Sequence, residues 1–266
     1  MKIFDPHIHM FSRTTDDYER MALAGIRAVV EPSFWLGQPR THVGSFLDYW
    51  SLITEWEPRR AGEFQIRHFC TISLNPKEAN DRKLAREVLD AMEPFLERPN
   101  VVGVGEIGFD KITDEEEEAL RAQLEMARRH DLPVLIHLPH VDKLRGAERT
   151  IAILKEMDYP EEMVDLDHNT EETIPLVKEK TRCWAGHTVY TRTKLTPARA
   201  ANILEEFGTE KMLINSSADW GVSDPLNVPK TVLELRKRGF PEEEIEKVVW
   251  RNPNEFYAQS KKFELL

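Results

Sequence analysis

Phe4-Asp5-Pro6-His7-Ile8-His9 stands near the start of a 266-residue chain, and its reading decides how the rest is organised. Side chains of an extended strand alternate between faces, so His7 and His9 point the same way, about 6.6 Å apart along the strand. Two imidazoles at that spacing converge on one ion, and buried imidazoles need a metal, a carboxylate or water as partner. Taken alone, the pair fits equally well two surface histidines behind a short strand. The choice turns on whether later strands also end in ligand-type residues.

Outward from that stretch, short apolar runs alternate with amphipathic segments. The apolar runs are Lys2–Asp5, Ile26–Glu31, His68–Leu74, Val101–Ile107, Pro133–Leu138, Met163–Asp167, Arg182–Val189 and Met212–Ser216. Helical patterning covers Asp16–Ala24, Ser45–Trp56, Arg82–Glu97, Asp114–Arg129, Gly146–Met157, Thr173–Lys180, Pro197–Phe207 and Pro229–Arg238. A last helical stretch, Glu242–Ser260, closes the chain. Eight strand–helix alternations in about 250 residues predict a TIM (β/α)8 barrel rather than an open sheet. No linker interrupts them, so residues 1–266 read as one barrel domain with a closing C-terminal helix. Thr113 and Glu116 form a capping box ahead of the Asp114 helix, and the Glu115–Glu118 run reads as solvated first-turn residues favoured by the helix dipole. The longest connection, Phe34 to Val43, contains Gly37 and Pro39 and is a candidate lid; its Phe34-Trp35 pair reads as hydrophobic packing.

The composition narrows the function classes. A formal net charge of -11 disfavours broad electrostatic capture of nucleic acid and points to a small-molecule substrate. Two cysteines, Cys70 and Cys183, are too few for a disulfide scaffold or a thiolate metal site. No apolar run reaches membrane-spanning length, and the chain opens directly on a strand, so a soluble cytoplasmic protein is expected.

Barrel enzymes build their sites where strands end at the C-terminal face. The polar residues expected there are His7, His9, Glu31, Glu106, His137, His168, His187 and Asp219. Imidazoles and carboxylates without cysteine suit Zn, Mn, Ni or Fe rather than Mg or Ca. Glu106, inside Val102-Gly103-Val104-Gly105-Glu106-Ile107-Gly108, is a carboxylate deep in an apolar strand and must be paired. Gly103-x-Gly105-x-x-Gly108 matches a dinucleotide fingerprint by spacing alone, but these glycines open no helix, and a glutamate inside the turn repels a pyrophosphate.

With His-x-His on strand one, Gly-Glu-Ile-Gly-Phe-Asp on strand four, and His137, His168 and Asp219 after strands five, six and eight, the chain resembles the TatD-like metal-dependent hydrolases of the amidohydrolase superfamily. The resemblance implies a two-metal site. His7, His9, Glu106 and Asp219 would hold the first ion, and Glu106, His137 and His168 the second, with Glu106 bridging. Asp219 would also take the proton from the attacking water. Three wall positions depart from nuclease-type members: Leu138-Pro139-His140, His168-Asn169-Thr170, and Ser217-Ala218-Asp219-Trp220 where those read Glu-Thr-Asp. His187 and His140 are candidate substrate contacts. The expected function is hydrolysis by a metal-activated hydroxide of a phosphoester or a (cyclic) amide or ester, with deoxyribonuclease action disfavoured by the acidic surface. The alternative is a non-catalytic metal- or ligand-binding barrel of the same descent.

Overall fold

The structure is a computed structural model describing residues 1–265. Its eight strands are β1 (Ile3–Asp5), β2 (Ile26–Pro32), β3 (Arg67–Ile72), β4 (Val101–Gly108), β5 (Val134–His137), β6 (Val164–Asp167), β7 (Trp184–Thr188) and β8 (Met212–Asn215). They form one parallel sheet in chain order, with helices in the crossovers: a TIM barrel, as the alternation predicts. Each strand falls within a few residues of its apolar run.

The seam between β8 and β1 closes beyond the strands themselves. The Ser217 amide donates to the His7 carbonyl at 2.7 Å, and the His9 amide to the Ala218 carbonyl at 2.9 Å. The last turn of the barrel wall is therefore made from the same residues that carry the histidine pair.

Two helices depart from regular winding for one reason. The stretch expected at Ser45–Trp56 is an α-helix, Val43–Ser51, that widens to a π-turn over Leu52–Trp56 before resuming at Glu57–Gly62. The closing helix does the same over Lys247–Arg251, ahead of Asn252–Tyr257. Each wide turn directly precedes a helix with proline in second position, Pro58 or Pro253. Proline lacks an amide hydrogen and its ring crowds the carbonyl four residues back, so a wider turn relieves the clash.

The Asp114–His130 helix starts where the capping box puts it, with Thr113 accepting from the Glu116 amide at 3.2 Å. Glu116 itself is not a solvated first-turn residue. It is fully buried, and its carboxylate accepts from the amides of Asp110, Lys111 and Ile112, which gather the loop after β4 over the helix start.

Inside the barrel, Phe4, Ala28, Val30, Phe69, Val102, Trp184 and Leu213 form an apolar layer, and Phe256 and Tyr257 of the closing helix plug it from below. The Tyr257 hydroxyl donates to the Pro6 carbonyl at 3.0 Å, tying the plug to the chain just ahead of His7. No helix among the described residues is long and apolar enough to cross a membrane. Phe256 is completely buried, so Phe256→Ala should destabilise the fold by about 3–5 kcal/mol, checked by denaturant unfolding; a loss under about 1 kcal/mol would show that the plug is not part of the core.

Candidate metal centre

Five of the expected ligands meet above this apolar layer. His7 and His9 follow β1. Glu106 is the extra residue of a β-bulge: Gly105 pairs with Leu135 and Ile107 with the next residue, Ile136, leaving Glu106 without a partner and turned to the barrel axis. The flanking glycine is a packing requirement, since a Cβ on Gly108 would lie 2.5 Å from the His137 carbonyl oxygen and its φ is +128°. His137 ends β5, and His168 follows β6 in the left-handed region at φ 66°. A non-glycine residue held there costs on the order of 1–3 kcal/mol, and such residues concentrate where function needs them.

The donor atoms converge on one carboxylate oxygen. Glu106 Oε1 lies 2.9 Å from His137 Nδ1, 2.8 Å from His168 Nε2 and 3.7 Å from His7 Nε2. His7 Nε2 is 3.0 Å from His9 Nε2, and Asn75 donates to the other oxygen of Glu106 at 3.2 Å. All are buried. Burial alone would raise the Glu106 pKa, but His137, His168 and His7 hold it well below the usual carboxylate range. Burial, followed by the charge of Lys194, pushes His168 well below the ordinary histidine value, so its ring is neutral.

Supporting residues fix which nitrogen is bare. Asp167 accepts at 2.5 Å from His7 Nδ1, and also from the His168 amide and the Asn215 side chain. Burial works against its charge, yet His168 and His7 hold its pKa far below the usual range. Its neighbour in the strand, Asp165, is pushed well above that range by burial and by the charge of Asp167. The Thr188 hydroxyl donates to Asn215 Oδ1 at 2.8 Å, so at 2.6 Å it receives the Nδ1 hydrogen of His168. In the neutral rings these bonds put the hydrogen on Nδ1, so that Nε2 of His7 and of His168 faces the Glu106 carboxylate as a lone pair. Lone pairs facing a carboxylate repel one another unless a cation lies between them. Ligand atoms on a tetrahedral ion with bonds of about 2.1 Å lie about 3.4 Å apart, and the 3.0 and 3.7 Å separations here bracket that edge. The nitrogen-rich donor set therefore fits a divalent transition ion.

The remaining candidates lie elsewhere. Asp219 Oδ1 accepts from the Gly221 amide at 2.7 Å and the Tyr190 hydroxyl at 3.0 Å, and the Ser217 hydroxyl lies 3.4 Å from Lys194 Nζ. Among the described residues no hydrogen bond or ion pair joins its side chain to the five converging residues, and three residues, 216–218, separate it from the end of β8. His187 does not fit a substrate contact: it alternates with the inward-facing Trp184 and Thr188, points outward, and packs at 3.3 Å against the Met212 sulfur. His140 stands at the rim, 5.8 Å from His137 between ring centres. Glu31 also lies outside the barrel, where it takes the Phe11 amide at 2.7 Å and His68 at 2.8 Å and so pins the turn after His9. Phe34, expected as packing, stacks on the His9 ring at 3.8 Å between centroids.

Three participants were not singled out from the sequence: Asp167, Thr188 and Lys194. For Asp167 the signal was present, since a carboxylate in an apolar strand must be paired, as reasoned for Glu106. Lys194 lies in the connection after β7 and carries no such mark; its Nζ stands 3.1 and 3.3 Å from the two ring nitrogens of His168.

Known proteins resemble this chain over nearly its whole length. The family described as TatD related DNase matches residues 4–258. An uncharacterized metal-dependent hydrolase of Methanocaldococcus jannaschii is 28% identical over 258 residues, which is 96% of this chain and 99% of that one. The crystal structure of a TatD-like protein from Archaeoglobus fulgidus superposes with a TM-score of 0.79 at 30% identity, covering 96% of this chain and 99% of the other. The phosphotriesterase homology protein of Escherichia coli, solved with phosphate in its active site, shares the fold at a TM-score of 0.66 and 16% identity, over 96% and 98% of the two chains.

Partners that orient ligating histidines set metal affinity. Asp167→Asn should leave the protein folded and weaken binding of Zn or Mn by about 10–100-fold, measured by competition with a chelator; unchanged affinity would remove Asp167 from the centre.

Proposed function

The chain belongs to the TatD-related family of metal-dependent hydrolases, and from that premise we propose that it hydrolyses a small phosphoester or a (cyclic) amide or ester at the centre formed by His7, His9, Glu106, His137 and His168. The observation that carries the reading is the convergence of His137 Nδ1, His168 Nε2 and His7 Nε2 on Glu106 Oε1 in a buried cluster, an arrangement that suits a cation. A divalent ion bound there lowers the pKa of a coordinated water from 15.7 toward ~7 and polarises the oxygen of the scissile group. Zn, Mn, Ni and Fe all suit the donor set.

This chain's own residues support the rest. Asn75 steadies the second oxygen of Glu106, and Asp167 keeps His7 in the ligating tautomer. Lys77, Lys143 and Lys194 all act electrostatically on His140 at the rim; Lys77 is paired with Asp110, so Lys143 and Lys194 are what make the mouth locally cationic on a molecule whose formal net charge is -11. Burial and Lys194 lower the Lys143 pKa to about 8, within reach of neutral pH, and its ammonium is held by the carbonyls of Leu138 and His168. Phe34, Trp35 and Trp220 stand together as an aromatic wall, with centroids 5.2–6.5 Å apart. A local cationic mouth inside an acidic surface favours a compact anionic substrate over a long polyanion, which the wider surface repels.

A panel of phosphomonoesters, phosphodiesters, lactones and amides, assayed in Zn, Mn and Ni, should yield turnover that His7→Ala and Glu106→Gln each reduce by at least ~100-fold. Metal bound with no turnover anywhere in the panel would favour the non-catalytic barrel. Asp219→Asn should raise KM by about tenfold and leave the metal content unchanged, because its carboxylate orders the mouth; loss of metal from that variant would return Asp219 to the ligand set.

A further inference from the structure

Apolar side chains left on the surface are not spread evenly. Among the described residues, five of the nine large hydrophobic side chains that stay exposed are Leu36, Val141, Leu144, Trp220 and Val222, in or directly after the connections that follow β2, β5 and β8. Those connections leave the strand ends on which His137 and His168 also stand. The other four lie at the chain start and on outer helices. Apolar surface gathered at the functional end of a barrel marks binding surface. The part of it nearest the histidines is fixed in place. The Phe34 amide donates to the Tyr49 hydroxyl at 3.1 Å, and the Phe34 carbonyl accepts from the Arg40 guanidinium at 2.8 Å. Arg40 is itself buried, paired with Glu78 at 2.5 Å and set over the rings of Phe46 and Tyr49. From that anchor the rings step outward: Phe34 stacks on His9, and Trp220 tilts against Phe34 with centroids 5.2 Å apart. Lys77 stands over the Trp35 ring at 5.1 Å, whereas Trp220 is left 43% exposed, although tryptophan is highly buried on average.

We propose that Phe34, Trp35 and Trp220 form a preformed subsite for an aryl group of the substrate, so that the scissile phosphoester or ester carries a flat apolar arm. The inference rests on the hydrolase reading above and names the part of the substrate that does not react. Phe34 lies directly against His9, so a substituent that leaves the reacting group on the His9 side meets this wall. The wall offers ring faces and edges, and its only polar side-chain atoms are two indole N–H donors. A nucleobase would bring carbonyl and amide edges that these residues leave largely unpaired, at a cost in affinity, whereas a carbocyclic ring brings none. Because Arg40 and Tyr49 hold Phe34 before anything binds, little ordering is left to oppose association.

The test is calorimetric binding of hydrolysis-resistant phosphonates to the Zn-loaded protein, with folding of each variant followed by thermal melting. Phenylphosphonate should bind at least about tenfold more tightly than methylphosphonate. Trp220→Ala should bring the two affinities within about twofold of each other, and Trp220→Phe should keep most of the difference. Equal affinities in wild type would overturn the subsite, as would an undiminished preference in folded Trp220→Ala. Tighter binding of a thymidine phosphonate than of phenylphosphonate would overturn its apolar character and with it the proposal. Should Trp220→Ala not fold, the wild-type comparison alone decides. Binding of no phosphonate at all would overturn the hydrolase reading together with the subsite that rests on it.

Discussion

One buried carboxylate, Asp167, organises the centre. It is ionised in the barrel interior, and burying a charge is tolerated only when the charge is fully bonded. Its bonds to His7, to the amide of His168 and to Asn215 meet that condition. The same bonds determine which face of His7 is bare and anchor the left-handed residue at His168. Even the small residue beside it follows: a Cβ on Gly186 would lie 2.3 Å from Asp167 Oδ1, so β7 must carry glycine there. Stabilising the charge and orienting the ligands are a single set of bonds.

The fold was legible from period and punctuation, because a parallel barrel writes its strands as short apolar runs separated by helical patterning. The candidate ligands at strand ends were legible for the same reason: a histidine or glutamate closing an apolar run is out of place unless paired. Alternation along a strand was the weaker guide. It grouped His7 with His9 correctly, yet His187 lies on the outward face of β7, since the direction of alternation depends on which strand residue meets the axis. Asp219 shows a second limit. Its position past the strand end depends on how the turn after β8 runs, and Ser217 at φ 42° redirects the chain in a way no residue type announces. Lys194 was invisible because only the closed barrel brings the β7 connection over His168.

Charge is distributed on two scales. The formal net charge is -11, while Lys143 and Lys194 stand at the mouth beside the histidine cluster. A field confined to a concave mouth acts on what enters it and fades within a Debye length outside, about 8 Å at physiological salt.

The seam of the barrel gives the exit of β8 an unusual freedom. Closure there includes main-chain bonds, Ser217 to His7 and His9 to Ala218, which do not use the Ser217 side chain. A lineage can replace an acid with a serine at this exit without opening the barrel, while the histidines across the seam stay where they were. The segment is thus a place where descent can revise the electrical character of the chemistry and leave the architecture inherited intact.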